Sequence, residues 1–287
     1  MTATKTRKIA FQGWPGANSD MACRDVYPDM ETLPCPTFGD AFAAVRDGDA
    51  DLAMIPIDNS VAGRVADIHH LLPDSGLYIT AEYFLRVRHY LLGVKASTLN
   101  DITHVHSHIH ALNQCRNLIK ELGLEPVVHA DTAGAAADIA RLCDKTQAAI
   151  ASPLAAEIDG LTTLKENVED AEHNTTRFVI MAKNPLIVSP ETPDLMTSFV
   201  FRVRNIPAAL YKAMGGFATN GVNMTKLESY VRSDFVAAQF YADVEGHPEQ
   251  DSLKHAFEEL QFFSHEVKVL GTYPRHDYRN VIAAADL

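Results

Sequence analysis

The 287-residue sequence has few of the features that mark secreted, membrane-spanning or metal-binding proteins. It contains four cysteines and no Cys-x-x-Cys pair, which argues against a compact disulfide framework and against a zinc knuckle. No apolar run reaches the length of about eighteen residues that a membrane helix needs. The basic start is not followed by the apolar segment of a signal peptide. The sequence therefore predicts a cytoplasmic protein without a membrane partner, whose thiols are reduced and mostly buried.

Basic residues are also scarce. Lys and Arg number 25 against 37 Asp and Glu, which gives a formal net charge of −12. Proteins that bind nucleic acids need a basic surface for the phosphate backbone, so a nucleic-acid partner is not expected. The 47% of hydrophobic and 22% of charged residues are typical of globular proteins, and the length favours two domains.

A proline-rich segment divides the sequence. Three prolines fall between Asn184 and Asp194, which favours an extended linker. Before it, short apolar runs alternate with helical segments, a pattern typical of parallel α/β sheets covered by helices on both faces. After it, the order is βαββαβ, as in ferredoxin-like modules. We therefore predict domains at residues 1–184 and 196–287, joined by a linker at 185–195.

Capping and helix-breaking residues predict several boundaries. Asn18 or Ser19 is expected to cap a helix that runs to Met30. Pro207 is expected to begin a helix, because proline favours the first helical position. A single helix is predicted over residues 111–122, and the second half should contain strands at 225–231 and 236–244.

Four predicted strand-to-helix junctions carry small polar residues where the strand ends. Ligands of open α/β sheets bind at the carboxyl ends of strands, and helix N-termini favour anions. A single junction of this kind is most simply a helix cap, but four together favour an anion-binding cleft. The junctions are Gly13–Ser19, Asp58–Gly63, Ser107–His108 and Asp131–Gly134.

The glycine and histidine patterns predict neither a cofactor nor a metal ion. Gly13 and Gly16 lack the spacing of a dinucleotide-binding loop, and no Walker lysine follows them. Four histidines alternate along a predicted strand and could in principle share a face that holds a metal ion. The last of them is expected to face outward from the following helix, so the metal site is the less favoured interpretation. These histidines are His104, His106, His108 and His110.

The segment Asn174–Phe178 places hydroxyl groups and one guanidinium at the beginning of a predicted strand. On composition alone, strand propensity explains the threonines and solvent exposure explains Arg177. Together with the junctions, however, the segment resembles the prephenate dehydratase family, and the resemblance covers nearly the whole chain. The motifs that carry it are Ile9-Ala-Phe-Gln-Gly-x-Pro-Gly16 with Asn18-Ser19, Ile55-Pro-Ile-Asp-Asn-Ser60 with Gly63, Ser107-His108, Asp131-Thr132-Ala133 and Thr176-Arg177-Phe178.

The resemblance implies a fold and an activity. Members of this family convert prephenate to phenylpyruvate, carbon dioxide and water in phenylalanine biosynthesis, without a cofactor. The implied fold is α/β, with a two-lobed, periplasmic-binding-protein-like catalytic domain and an active site between the lobes. A ferredoxin-like βαββαβ ACT domain follows, a module that binds amino acids for feedback control. L-Phenylalanine is the implied effector, and a homodimer or homotetramer is the implied assembly.

The resemblance also implies roles for particular residues. Thr176 is expected to be essential, and Asn59, Ser107 and Asn174 are its candidate hydrogen-bonding partners. Arg177 is expected either to hold a substrate carboxylate or to pair with a carboxylate of its own lobe. The implied substrate-binding residues are Asn18, Ser19, Asp58, Ser60, His108, Thr132, Ala133, Arg177 and Phe178. The implied effector-binding residues are Ala208, Ala209, Leu210, Asn223, Glu228 and Ser229.

The sequence departs from the family pattern at a few positions. Asp58 stands where many members have Glu, and Asp20 stands where His is common. In the effector motifs, Ala208 replaces a glycine, and Tyr230-Val231 replaces Arg-Pro. The residues leave two alternatives open, namely arogenate as the substrate and a non-catalytic sensor of anions or amino acids.

Overall fold

The computed structural model describes residues 6–230 and 239–285. In chain order the strands are β1 (Lys8–Gln12), β2 (Glu31–Cys35), β3 (Leu52–Asn59), β4 (Gly63–Arg64), β5 (Tyr78–Arg86), β6 (Tyr90–Gly93), β7 (His104–His108), β8 (Glu125–His129), β9 (Gln147–Ala151), β10 (Thr162–Lys165), β11 (Thr175–Ala182), β12 (Leu195–Val203), β13 (Met224–Tyr230), β14 (Gln239–Glu245) and β15 (Ser264–Pro274). The α-helices are α1 (Asn18–Val26), α2 (Phe38–Asp47), α3 (Ala66–Leu71), α4 (Ile109–Gln114), α5 (Arg116–Leu122), α6 (Thr132–Leu142), α7 (Pro153–Asp159), α8 (Ala209–Thr219), α9 (Asp251–Phe263) and α10 (Tyr278–Ala285).

These strands form three sheets. The first has the order β2-β1-β3-β11-β5, with β4 paired to β3, and the second has the order β10-β6-β9-β7-β8. Both are mixed: β1 and β7 pair in parallel with their neighbours, whereas β4, β6 and β10 pair antiparallel. The prediction of parallel sheets is therefore correct for β1, β2, β3, β7, β8 and β9 and wrong for β4, β6 and β10. In the second sheet β6 runs opposite to its neighbours β9 and β10, and it directly follows the passage of the chain from the first sheet.

The chain divides into two compact units. One comprises Met1–Val65 and Phe84–Phe178, and the other comprises Ala66–Tyr83 and Val179–Leu287. The chain passes from one unit to the other three times: between β4 and α3, within β5 and within β11. Residues 183–194 contain neither helix nor strand. The linker at 185–195 and the domain limits at 184 and 196 stay predictions.

The third sheet forms an ACT-like module within the second unit. Its strand order is β13-β14-β12-β15, all antiparallel, and the predicted βαββαβ order is confirmed. Alternation along β12 places Phe199 and Phe201 in a core with Phe217 of α8 and Phe257 of α9. Ser198 points to the opposite face and donates a hydrogen bond to the fully buried carboxylate of Asp243 in β14.

Several local predictions were wrong, for identifiable reasons. The N-cap of α1 is Ala17, so Asn18 and Ser19 lie in the first turn, and the helix ends at Val26. The residues after it form β2, a strand that the sequence did not indicate. Ala208 has a positive φ of 59° and is the N-cap of α8, so Pro207 lies before the helix. Val231 and residues 236–238 lie outside the described part of the chain.

The helix predicted over 111–122 is interrupted at Cys115, whose backbone is not helical. A carboxylate that is remote in sequence explains the interruption. Asp170 accepts hydrogen bonds from the backbone N–H groups of Arg116 and Asn117 at 3.0 and 3.1 Å, and its own N–H donates to the carbonyl of Gln114. Asp170 therefore caps the start of α5, so one helix ends at Gln114 and the next begins at Arg116.

Two sequence-based expectations concern the thiols and membrane-spanning helices. Cys23, Cys35 and Cys115 are buried free thiols, and Cys143 is exposed, so the prediction of mostly buried thiols is confirmed. Burial raises the pKa of the Cys23 and Cys115 thiols. None of the helices in the described part of the chain combines the length and apolar character that a membrane crossing requires.

Candidate active site

Three polar side chains meet where β3 ends and β11 begins. Asn59 is the last residue of β3, Thr176 is the second residue of β11, and Asn174 lies immediately before that strand. Asn59 Nδ2 donates to Asn174 Oδ1 at 2.8 Å and to Thr176 Oγ1 at 2.9 Å. Asn174 and Thr176 are buried. The structure thus brings together three of the four residues that the resemblance implied for catalysis.

The backbone fixes the orientation of the Asn59 amide. Its Oδ1 accepts hydrogen bonds from the N–H groups of Val61 and Ala62 at 3.0 and 2.7 Å. Asn59 Nδ2 must therefore point toward Thr176, whose hydroxyl oxygen acts as the acceptor. The hydroxyl hydrogen of Thr176 finds no acceptor among the described residues, so it is available to a bound molecule.

The hydrogen-bond network continues to two residues that the sequence analysis missed. Asn174 Nδ2 donates to Gln114 Oε1 at 3.0 Å, and the same oxygen lies 2.9 Å from Nε2 of His89. Gln114 ends α4, and His89 lies between β5 and β6. Burial lowers the pKa of His89, which favours the neutral imidazole. Neither residue belongs to a recognisable motif, and only the folded chain brings them within reach of Asn174.

The other residues of the Thr-Arg-Phe motif are buried as well. Arg177 Nη1 lies 3.9 Å from the carboxylate of Asp58, and the Arg177 side chain is almost completely enclosed. This contact corresponds to the within-lobe pairing, one of the two roles expected for Arg177. Phe178 is fully buried in the core.

The hydroxyl groups of two of the implied site serines form hydrogen bonds with backbone groups. Ser60 Oγ donates to the carbonyl of His173 at 2.7 Å and accepts from the N–H of Thr175 at 2.9 Å. Ser107 is fully buried, and its Oγ donates to the carbonyl of Ile150 at 2.6 Å. The hydrogen bonds of Ser107 therefore do not join it to the Thr176 network, and a catalytic role for Ser107 stays a prediction.

The junctions at the second sheet are helix caps. Asp131 caps α6 by accepting from the N–H of Gly134 at 2.6 Å, which places Thr132 and the buried Ala133 in the first turn. His108 caps α4, and burial, together with the nearby imidazole of His110, lowers its pKa. In the described part of the chain, no group of three or more His, Cys, Asp or Glu residues is arranged to hold a metal ion.

The first junction is held by a buried carboxylate. Asp20 is fully buried, accepts from the N–H of Gly16 at 2.9 Å and pairs with Arg24 at 2.9 Å. Asn18 Oδ1 is buried and has no hydrogen-bond partner in the described part of the chain. Ser19 is buried too. A role for Asn18 in substrate binding stays a prediction.

The implied effector residues fall into two groups. Ala208, Ala209, Leu210 and Ser229 line one cavity of about 440 Å³ at the start of α8. Asn223 and Glu228 do not line it. Glu228 lies 3.9 Å from Lys226 on the same strand, and the carbonyl of Asn223 accepts a hydrogen bond from the N–H of Glu245.

Comparison with known proteins identifies the family to which this architecture belongs. The model of the prephenate dehydratase family matches residues 9–186, which include the whole Thr176 network. The chain belongs to the prephenate dehydratase family. It is therefore a carbon–oxygen lyase by family, and its predicted fold class is confirmed: two mixed α/β sheets followed by an ACT-like module.

Several members of the family resemble the chain along most of its length. A bifunctional N-acyl-homoserine lactone acylase/prephenate dehydratase of Komagataeibacter europaeus is 55% identical over 274 residues, which covers 95% of this chain and 98% of that protein. An arogenate dehydratase/prephenate dehydratase of Arabidopsis thaliana is 37% identical and covers 93% of this chain and 72% of that protein. The crystal structure of a prephenate dehydratase from Arthrobacter aurescens in complex with L-Phe superposes with a TM-score of 0.85 at 27% identity, covering 97% and 98% of the two chains.

Proposed function

We propose that the protein is a prephenate dehydratase that forms phenylpyruvate and is inhibited by phenylalanine. The observation that carries the catalytic part is the Thr176 hydroxyl, whose oxygen accepts from Asn59 and whose hydrogen has no acceptor among the described residues. Such a hydroxyl can donate a hydrogen bond to the oxygen that leaves the substrate ring.

The chemistry requires a donor at this oxygen. When the ring carboxylate leaves as carbon dioxide, its bonding electron pair moves into the ring and the ring C–O bond breaks. The departing hydroxide takes one proton and becomes water, so the dianionic substrate and one proton give carbon dioxide, water and the phenylpyruvate anion. A threonine hydroxyl is too weak an acid to supply that proton alone. Its role is to stabilise the developing charge by a preorganised hydrogen bond, an effect of roughly 3–4 kcal/mol.

The substrate carries two carboxylates, and the structure offers anion-favouring groups for them. The N-termini of α1 and α6 present N–H groups and the positive ends of helix dipoles. Arg177 adds a buried positive charge beside Asp58. We propose that Asn18, Ser19, Thr132 and Arg177 contribute to holding the carboxylates.

The first experiment measures phenylpyruvate formation from prephenate with wild-type protein, Thr176→Val, Thr176→Ser and the exposed strand control Thr163→Val. Valine keeps the shape of threonine but has no hydroxyl, so kcat should fall by about 10²-fold or more, whereas serine should retain most of the activity. Thr163→Val should match the wild type. A folded Thr176→Val protein with wild-type turnover would contradict the assignment.

The same assay with arogenate addresses the substrate. Arogenate carries an amine where prephenate has a ketone, and the name of the Arabidopsis relative includes both substrates. Faster turnover of arogenate would overturn the proposed preference for prephenate. A protein that binds prephenate and phenylalanine but turns over neither substrate would support the sensor alternative.

The regulatory part of the proposal has two supports. The ACT-like module presents a cavity of about 440 Å³ lined by Ala209, Leu210 and Ser229, and the related Arthrobacter enzyme was crystallised with L-Phe. We propose that phenylalanine binds at this cavity and that the protein assembles as a homodimer or homotetramer.

A second activity is favoured by one observation. The Komagataeibacter relative, 55% identical over nearly its whole length, is a bifunctional N-acyl-homoserine lactone acylase/prephenate dehydratase. We propose that this protein also hydrolyses the amide bond of N-acyl-homoserine lactones, consuming water and releasing a fatty acid and homoserine lactone. Release of both products by wild-type protein would support this. Intact lactone at a protein concentration that turns over prephenate would refute it, and Thr176→Val shows whether the two activities share a site.

A further inference from the structure

We propose that His89 is a positioning residue for Thr176. The Nε2–H group of His89 holds the far end of a series of hydrogen bonds that leads to the Thr176 hydroxyl and keeps the amides between them in one orientation. The series runs through Gln114, Asn174 and Asn59. This inference rests on the proposed function, because it assigns the Thr176 hydrogen to the departing oxygen of the substrate.

Backbone N–H groups fix one end of this series of hydrogen bonds. Val61 and Ala62 donate their N–H groups to Asn59 Oδ1, so Asn59 can offer only its NH₂ group to Asn174 and Thr176. Asn174 must then accept through Oδ1. Its own NH₂ group is left to point toward Gln114.

The imidazole of His89 fixes the other end of this series of hydrogen bonds. Gln114 Oε1 accepts from Asn174 Nδ2 at 3.0 Å and lies 2.9 Å from His89 Nε2. Since this oxygen can only accept, the Nε2 atom of His89 must carry a hydrogen. A neutral imidazole with its hydrogen on Nδ1 would instead require an NH₂ group from Gln114. That arrangement would place two NH₂ groups face to face at Asn174.

The backbone holds His89 in place for this role. Its N–H donates to Glu169 Oε2 at 2.9 Å, and its carbonyl accepts from the N–H of Val168 at 2.8 Å. Residues 87–89 carry the chain from the first sheet to the second, and residues 166–174 carry it back. Val87 N–H also donates to the carbonyl of Asn174 at 2.8 Å. His89 and Asn174 are therefore held on two passages that are bonded to each other.

The activity test compares His89→Phe, which removes the donor, with His89→Gln, whose amide nitrogen replaces Nε2. The matched control is His106→Phe, because His106 Nε2 contacts Gln147 Oε1 at 2.7 Å in the second sheet, outside this series of hydrogen bonds. We expect kcat to fall roughly tenfold in His89→Phe with little change in KM, and to recover in His89→Gln. His106→Phe should keep the wild-type kcat. Equal kcat in both His89 variants, whether lowered or unchanged, would overturn the proposal.

A second test does not depend on turnover, so it separates this proposal from the proposed function. Long-range ¹H–¹⁵N NMR shows which nitrogen of each histidine carries hydrogen, and the His89→Gln spectrum assigns the signals of His89. We expect the Nε2–H form in the wild type. The carboxylate introduced by Asn174→Asp can only accept, so Gln114 must turn its NH₂ group toward it, and His89 should change to the Nδ1–H form. An Nδ1–H form in the wild type, or the same form in both proteins, would overturn the proposal even if prephenate is turned over.

Discussion

At the scale of single residues, the buried imidazole of His89 makes stability depend on pH. Burial lowers the pKa of His89 in the folded protein, whereas a histidine in the unfolded chain has a pKa of about 6.5. Between these two values the unfolded chain binds a proton that the folded protein does not. The stabilising contribution is therefore complete above about pH 6.5 and is lost as the pH falls toward the lowered pKa.

Replacing His89 by glutamine should reduce this acid sensitivity. We expect the free energy of unfolding of His89→Gln to fall less steeply below about pH 6.5 than that of the wild type, by up to ~1.4 kcal/mol per pH unit. Urea unfolding at a series of pH values measures both slopes. The difference between the two proteins should be constant above about pH 7.5, which serves as the internal control. Parallel curves down to about pH 5 would contradict the expectation.

Single residues also show what could be predicted from the sequence. The motifs identified Asn59, Asn174 and Thr176, which lie at strand ends, where local pattern determines position. Gln114 and His89 could not be found in this way. Their role depends on a helix that ends at Gln114 because of a carboxylate 56 positions away, Asp170. No local pattern contains that contact.

At the scale of elements, one strand depends on a glycine for close packing. Gly271 in β15 lies against the backbone of Ile79 in β5, and a methyl group at Gly271 would overlap the Ile79 carbonyl oxygen and lie 2.8 Å from its carbon. The pairing of β12 with β15 shifts its register beside this residue, between Ser198 and Phe199. The backbone of Ile79 cannot give way as a flexible side chain would.

We therefore expect Gly271→Ala to destabilise the protein by about 1–3 kcal/mol, because overpacking forces the backbone to shift. Gly215→Ala is the matched control. Gly215 lies inside α8 with nothing within 4 Å of an added methyl group, so alanine should stabilise the helix by about 0.5–1 kcal/mol. Thermal and urea unfolding of both variants test the pair. Equal effects of the two substitutions would show that the contact with Ile79 does not constrain β15.

The elements that were predicted correctly are those with strong local signals. Helix α2 has a capping box at Thr37 and Asp40 and a left-handed Gly48 at its end, both of which are recognisable in the sequence. The first strand of the predicted βαββαβ order corresponds to β12. By contrast, β2 has the sequence Glu-Thr-Leu-Pro-Cys, with a proline and little alternation, and its existence depends on pairing with β1.

At the scale of the whole molecule, the order of secondary structure was more predictable than the division of the chain. The α/β pattern and the βαββαβ pattern are both confirmed. Residues 66–83, however, belong to the second compact unit, although they precede the proline-rich segment by more than a hundred positions. Glu82 in this segment receives two hydrogen bonds from the guanidinium of Arg279 in α10, at 2.7 and 2.8 Å. Contacts between residues so distant in sequence are not visible in composition or periodicity.

Feedback inhibition that acts by lowering the affinity for prephenate can be tested on the whole molecule. When phenylalanine lowers the affinity for prephenate by some factor, prephenate must lower the affinity for phenylalanine by the same factor. Thr176→Val makes the measurement possible, because it should bind prephenate without converting it. Calorimetric titration of each ligand with and without the other should give equal factors, within the range of about 5–150 that is typical of such coupling.

The titration also shows where the coupling originates. Ala209 is buried at the start of α8 and lines the proposed effector cavity, so Ala209→Leu should fill part of that space. Its affinity for phenylalanine should fall, and prephenate affinity measured without phenylalanine should match that of the Thr176→Val parent. Phenylalanine binding that is unchanged by saturating prephenate would mean that the two sites are not coupled. Unchanged phenylalanine affinity in the Ala209→Leu protein would place phenylalanine binding outside this cavity.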